Sequence, residues 1–277
     1  MIDTHCHPYD SAFDLDRHQA VLRAVEAGVG TMILPAIDST SHLAQQQLAE
    51  AFPLHFRQMM GLHPTSVNDN FEGELDIVRQ KLFSPQADYV AVGEIGLDLY
   101  WDKTYYEQQR EVLLRQMRWA HNLGLPMCLH VRKAYNELFG LLRDLNYGTF
   151  SGVMHCFGGS VQEAQRAVEM GFHIGIGGVV TYKNATLAEV AAAVPLNRIL
   201  LETDAPWLAP TPHRGERNSS LYLPLVAERI AELKGVSPED AARLLTELEM
   251  FKILERLQLE PAPVREAPAA EQAVTVI

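Results

Sequence analysis

The chain has 277 residues, 47% of them hydrophobic, and a formal net charge of −12. A chain of this size hides roughly 75% of its unfolded surface, enough for one large domain, and no apolar run approaches the ~18 residues needed to span a bilayer. The negative charge argues against broad coating of nucleic acid, which needs many Lys and Arg contacts, but it leaves room for a local phosphate site at a carboxylate-rich metal centre.

The chain opens MIDTHCHPYD. On a strand, residues two apart share a face. A strand here would line up Asp3, His5 and His7, and neutral imidazoles side by side make a good metal clamp. No basic region leads into an apolar core, so no signal peptide is expected. Three cysteines do not make a disulfide framework and fit a reducing cytoplasm.

Eight short apolar runs follow one another, at 1–5, 31–37, 56–63, 88–96, 126–131, 151–156, 172–178 and 198–204. Between most of them lie amphipathic segments such as 15–28, 107–124, 160–171 and 185–194, several ending in Gly, as helices often do. Alternating strands and helices predict a parallel sheet. Eight such units predict an α/β fold closed as a (β/α)8 TIM barrel, with an open doubly wound sheet as the alternative. One domain is expected over 1–258. A Pro/Arg/Asn-rich loop at 205–220 leads into helices at 221–234 and 238–257, and a flexible Pro/Ala/Glu-rich tail spans 259–277.

Polar residues mark the ends of these runs: His5 and His7, His63, Glu94 with Asp98 beyond, His130 followed by Arg132, His155, and Asp204 with Glu202 two residues earlier. In a barrel these ends converge on the C-terminal mouth, where active sites form. A single buried His is usually a satisfied core residue. Acids and histidines at five or more strand ends are hard to assign to packing, because charge near a core needs a partner or a metal. Such donors, without a thiolate pattern, suit Zn²⁺, Mn²⁺ or Mg²⁺. One site takes three or four ligands, so two divalent metal ions about 3.5–4 Å apart are expected. Glu94 would bridge them, His5, His7 and Asp204 completing one site, His130 and His155 the other. Such a pair would activate a water whose proton Asp204 accepts.

Substrate contacts are expected around this centre. Arg132 would grip a phosphate bidentately, with a rim salt bridge as the alternative. His63 would point into the mouth, with a sideways position under the Pro64 turn as the alternative. Arg214 and Arg217 would meet phosphate or stay solvated. Tyr100 and Trp101 would stack on a base or merely pin their loop. Cys6, Cys128 and Cys156 are expected to pack in the core, and His18, His42, His55, His121 and His173 receive no role.

The stretches DTHCH, GLHP, GEIGLD, LHVRKA, HCFGGS and ETDAPWL, in this order, resemble the TatD family of metal-dependent deoxyribonucleases over residues 1 to about 255. The resemblance implies a metal-dependent TIM barrel whose divalent cations sit on His5, His7, Glu94, His130, His155 and Asp204. It also implies hydrolysis of DNA phosphodiesters, often 3′→5′ on single strands, or a broader phosphoesterase activity. Val131 stands where the family has Ser or Thr. RGERNSS replaces RGKRNEP, bringing Glu216, Ser219 and Ser220, and the usual Asn is absent from LLTELEMFKIL, which keeps Phe251. These departures spare every implied ligand and alter the rim that faces substrate. Two other functions remain: the same barrel acting on a carboxylic ester or amide (a lactone, cyclic amide or aminoacyl-ester), or a non-catalytic partner protein. Glu94 at the bridging position, where some ester- and amide-cleaving barrels use a carboxylated Lys, favours the nuclease branch. The intact ligand set speaks against the partner protein. Imidazole ligands must be neutral, so activity is expected to fall below about pH 6.5.

Overall fold

A computed structural model describes residues 1–145, 149–237 and 240. Eight strands are hydrogen-bonded in sequence order and all neighbours run parallel. They are β1 (Ile2–Asp3), β2 (Thr31–Leu34), β3 (Phe56–Met60), β4 (Tyr89–Asp98), β5 (Met127–Arg132), β6 (Gly152–Met154), β7 (His173–Ile176) and β8 (Ile199–Leu201). The Thr4 amide and hydroxyl both donate to Leu201 O, at 3.0 and 2.9 Å, and Asp204 N–H donates to His5 O at 2.9 Å. These bonds join β8 to β1 and close the ring. Helices alternate with the strands: α1 (Arg17–Glu26), α2 (His42–Ala51), α3 (Phe71–Leu82), α4 (Tyr106–Leu123), α5 (Tyr135–Leu145), α6 (Val161–Glu169), α7 (Leu187–Ala193) and α8 (Leu223–Lys234). This is the (β/α)8 TIM barrel that the rhythm of the sequence predicts. Most of the expected helix 238–257 and all of the tail 259–277 lie outside the described residues.

Strand alternation sorts the core into two shells. Met32 and Leu34 pack outward with the helices, whereas Ile33 joins Met59, Val90, Ala91, Cys128, Val153 and Leu200 in a separate inner cluster. That cluster fills the lumen and makes a dry floor under the mouth. The helix ends obey local chemistry. Ser160 and Glu163 form a reciprocal capping box on α6, and Gly124 and Gly235 end α4 and α8 in the left-handed conformation that glycine adopts without steric cost. Where strands leave the ladder, buried glutamines take over their backbone groups. Gln116 bonds both Leu62 N–H and O, Gln109 bonds both Asp98 N–H and O, and Gln45 donates to Leu34 O and Met59 O. Buried peptide groups need such partners, and these fix the loops that carry His63 and Asp98. Among the described residues no helix is long and apolar enough to cross a membrane.

The first strand is shorter than expected. β1 stops at Asp3 because Asp3 Oδ1 accepts the His5 N–H at 3.3 Å and turns the chain, the way Asx side chains do. His5 and His7 therefore lie past the strand. Asp3 faces away from them, accepting from Thr203 N–H (3.0 Å) and Oγ1 (2.6 Å). Burial raises its pKa to about 6 against these hydrogen bonds. It is a strut between β1 and β8, and no part of a clamp.

Candidate metal centre

Glu94 stands at the middle of the mouth and is 2% exposed. Its Oε1 lies 3.1 Å from His63 Nε2, 3.0 Å from His130 Nδ1 and 2.7 Å from His155 Nε2, and its Oε2 lies 3.2 Å from His5 Nε2. Gly96 makes this possible. At φ +156°, a Cβ there would stand 1.9 Å from His130 O, so only glycine lets β4 and β5 run this close. His5 and His7 bring their Nε2 atoms to 3.1 Å, and Asp204 Oδ1 lies 3.5 Å from His7 Nε2 and 3.8 Å from His5 Nε2. Asp204 and Cys156 hold left-handed backbone (φ +56° and +44°), an uncommon state for residues with a Cβ that concentrates at functional sites.

Among the described residues, three sets of donor atoms are close enough to hold a cation: His5, His7 and Glu94; His5, His155 and Asp204; and His63, Glu94 and His130. His155 belongs to the set with His5 and Asp204, its ring stacked on His5 (3.8 Å between centroids), and its Nε2 also faces Glu94 Oε1, the oxygen nearest His130. The charge balance fits cations. Burial lowers the His155 pKa, but Glu94, Glu202 and Asp204 around it reverse this and raise it to about 10. Burial and the neighbouring His155 push His5 down to about 4. For Glu94, burial acts upward and is outweighed by His155, His63 and His5, so its carboxyl stays well below the usual range. Both His155 nitrogens are buried without a hydrogen-bond partner, even at 2.7 Å from Glu94. Such an orphaned donor atom aimed at a carboxylate cluster suits a metal ligand.

For His7, His130 and His63 the far side of the ring decides which nitrogen is bare in the neutral imidazole. Tyr9 Oη donates its one proton to Pro35 O at 2.5 Å, so at 2.8 Å it accepts from His7 Nδ1–H, leaving His7 Nε2 a lone pair toward the centre. Asp98 Oδ2 accepts from His130 Nε2–H at 2.9 Å; Asp98 and Glu94 together raise the His130 pKa against burial, and in the neutral ring Asp98 keeps the proton on Nε2 and leaves Nδ1 its lone pair toward the centre. Cys128 Sγ touches His5 Nδ1 at 3.3 Å. His63 is the reverse case. The Thr65 backbone N–H donates to its Nδ1 at 3.1 Å, so the neutral ring carries its proton on Nε2 and donates to Glu94. Proximity groups His63 with possible ligands; its hydrogen bonds leave no lone pair facing the centre.

Outer partners of this kind commonly set ligand affinity within 10–100-fold. Tyr9→Phe is accordingly expected to weaken divalent-cation binding by about 10–100-fold with the fold retained, measured by titration of the apo chain with Mn²⁺. Unchanged affinity would remove Tyr9 from this role.

The six implied ligands and His63 all meet at this centre. Arg132 lies above it on an open edge, its guanidinium 3.9 Å from the Tyr100 ring centroid and 5.1 Å from that of Trp101. Tyr100 therefore has one face covered by Arg132. Arg214 sits over Tyr182 at 4.5 Å, away from the cavity walls. Arg217 is committed to structure, with two 2.7 Å bonds to Asp16 and one to Ala12 O. Of the cysteines, Cys6 packs in the core as expected, Cys128 belongs to the lumen floor, and Cys156 departs from expectation by lining the cavity. Asp98 and Glu202 were among the acids marked at the strand ends, without a role; Tyr9 and Thr65 were not foreseen as parts of the centre. Glu202 is wholly buried, burial raises its pKa to about 8, and its Oε1 accepts the Cys156 N–H at 2.5 Å. Of the two unforeseen residues, Tyr9 left a sequence signal, continuing the two-residue spacing of His5 and His7.

The profile of the TatD related DNase family matches residues 2–250. The chain is 36% identical over 264 residues to the uncharacterized metal-dependent hydrolase YjjV of Escherichia coli (strain K12), spanning 95% of this chain and 92% of that one. The crystal structure of YjjV, a TatD homolog, matches with a TM-score of 0.84 at 34% identity over 92% of this chain and 97% of that one. The 3′-5′ ssDNA/RNA exonuclease TatD of Pantoea ananatis (strain LMG 20103) is 30% identical over 249 residues, 88% of this chain and 95% of that one. A barrel with histidines and acids gathered at its mouth, matched along almost its whole length by these relatives, belongs to the TatD-related DNase family of metal-dependent hydrolases.

Proposed function

We propose that the chain hydrolyses phosphodiester bonds of DNA with two divalent cations, as a 3′→5′ exonuclease on single strands. Glu94 carries this reading, because its two oxygens face two donor sets, Oε2 the His5 side and Oε1 the His130 side. His5, His7 and Asp204 would hold one cation and His130 the other, with Glu94 shared and His155 beside both. Bound there, Mg²⁺, Mn²⁺ or Zn²⁺ would supply Lewis acidity to the phosphate and lower the pKa of a water. Asp204 is the centre's most open carboxylate, its side chain 15% exposed against 3% for Glu94. It is placed to take the proton of the water that attacks phosphorus. His63 Nε2–H is placed to donate to a phosphate oxygen, and Arg132 to pair with a neighbouring phosphate. The Pantoea relative's name, an exonuclease on single-stranded DNA and RNA, supports the substrate class. Three unpaired cysteines suit a cytoplasmic setting.

The test is digestion of a 5′-labelled single-stranded oligonucleotide with Mg²⁺, Mn²⁺ or Zn²⁺, and with chelator. A ladder that descends one nucleotide at a time and vanishes with chelator is expected. No cleavage by a chain that carries metal would overturn DNA as substrate and turn the search to small phosphoesters and carbonyl esters.

A further inference from the structure

The cavity above the centre has a volume of about 1400 Å³. Pockets of about 300–1,000 Å³ bury one drug-sized ligand, so this space suits two or three nucleotides. Its charge is lopsided. Outside the centre, acids line it on several sides: Asp10 after β1, Asp38 after β2, Glu137 on α5 and Glu163 on α6. Among the described residues, the basic groups on its walls are Arg132 and Lys133, adjacent at the end of β5. Beyond those walls, Arg217 is paired with Asp16, and Arg214 stacks on Tyr182 outside the cavity. The α6 N-terminus is filled by its own Glu163, whose carboxylate accepts from Ser160 N–H and Oγ. A strand running across this mouth would set its further phosphates against carboxylates, and like charges brought together in an interface are costly.

The aromatic groups fit the same limit. Trp101 follows β4 and Trp207 follows β8, four strands apart in an eight-stranded ring, hence on opposite sides of the mouth. Both line the cavity, and they are 70% and 48% exposed. Trp101 has the Arg132 guanidinium 5.1 Å from its ring and Trp207 meets His7 edge to face, and each keeps exposed ring surface for one base.

Resting on the phosphodiester reading, we propose that the substrate is a short oligonucleotide of two or three nucleotides. Its scissile phosphate lies at the centre and its neighbouring phosphate on Arg132 and Lys133. One base stacks on Trp101 and another on Trp207. A long strand gains little from its additional length, because among the described residues no further Lys or Arg lines the cavity.

The experiment compares kcat/KM per 3′ end for single-stranded oligonucleotides of two, three, six and twenty nucleotides, each with a 5′-phosphate, at 50 and 200 mM salt. A plateau at two or three is expected, with the twenty-mer within about threefold of the trimer or below it. With two phosphates neutralised, the single-strand salt slope of about −0.7 per phosphate gives a fall of about 7-fold across this range. Trp101→Ala and Trp207→Ala are each expected to lower kcat/KM for the dimer and trimer by about tenfold or more. A tenfold or greater rise from trimer to twenty-mer would overturn the proposal and leave the phosphodiester reading standing. Hydrolysis of no length with any of the three cations would overturn that reading, and this proposal with it.

Discussion

Replacing Glu94 with Gln is expected to strip the centre of bound cation and to lower hydrolysis by at least about 10³-fold, or about 4 kcal/mol of transition-state stabilisation. The amide matches the carboxylate in shape, so packing around it is kept. What changes is charge and lone pairs. Glu94 now accepts from or faces His5, His63, His130 and His155 through two oxygens. A Gln keeps one oxygen and turns an NH2 group toward the other side. Whichever way it flips, one donor set faces an N–H where a cation would need a lone pair. The neutral amide also removes the negative charge that four imidazoles surround at 2% exposure. Elemental analysis of purified chains should show fewer cations per chain than the native protein under the same loading, with an unchanged circular dichroism spectrum. Full metal content with low activity would move Glu94 from ligand to a role in the chemistry alone. Full activity would remove it from the centre.

The strand order and the meeting of His5, His7, Glu94, His130, His155 and Asp204 were legible because both follow from position. Apolar runs at regular intervals dictate a barrel, and a barrel gathers whatever stands at its strand ends. The extent of β1 was not legible, since it depends on the Asp3 side chain turning the chain at His5 and reaching Thr203, 200 residues away. The outer hydrogen bonds were hidden for the same reason. Alternation tells which face a side chain occupies and says nothing of which ring nitrogen it shows, and the partners that decide this include Pro35 O for Tyr9 and Asp98 for His130. The glutamines of α2 and α4 read as polar positions on amphipathic helices. They are instead fully engaged with strand-end backbone. Arg214 and Arg217 show what loop composition leaves out. A basic loop after the last strand invites a phosphate, and the structure pairs Arg217 with Asp16 and stacks Arg214 on Tyr182.

His63 provides the sharpest test of reasoning from hydrogen positions. Distance alone makes it a ligand: its Nε2 is 3.1 Å from Glu94 Oε1, and it shares a donor set with Glu94 and His130. A ligand nitrogen must present a lone pair. The His63 lone pair is on Nδ1, because a backbone N–H can only donate and that of Thr65 points at Nδ1. The Thr65 hydroxyl, 2.6 Å from the same nitrogen, reinforces this by donating as well. Burial also lowers the His63 pKa, so the ring stays neutral with its one proton on Nε2. That proton is aimed at the place where a phosphate oxygen would sit beside Glu94. His63→Ala is therefore expected to keep the native number of cations per chain and to lose about 10²–10³-fold in kcat, the usual cost of one aligned donor to developing charge. His63→Gln, whose side-chain NH2 can still donate, should recover part of that loss, whereas a purely structural role would give no such recovery. Loss of one cation from His63→Ala would return His63 to the ligand set, and with it the assumption that the Thr65 amide decides the ring's proton.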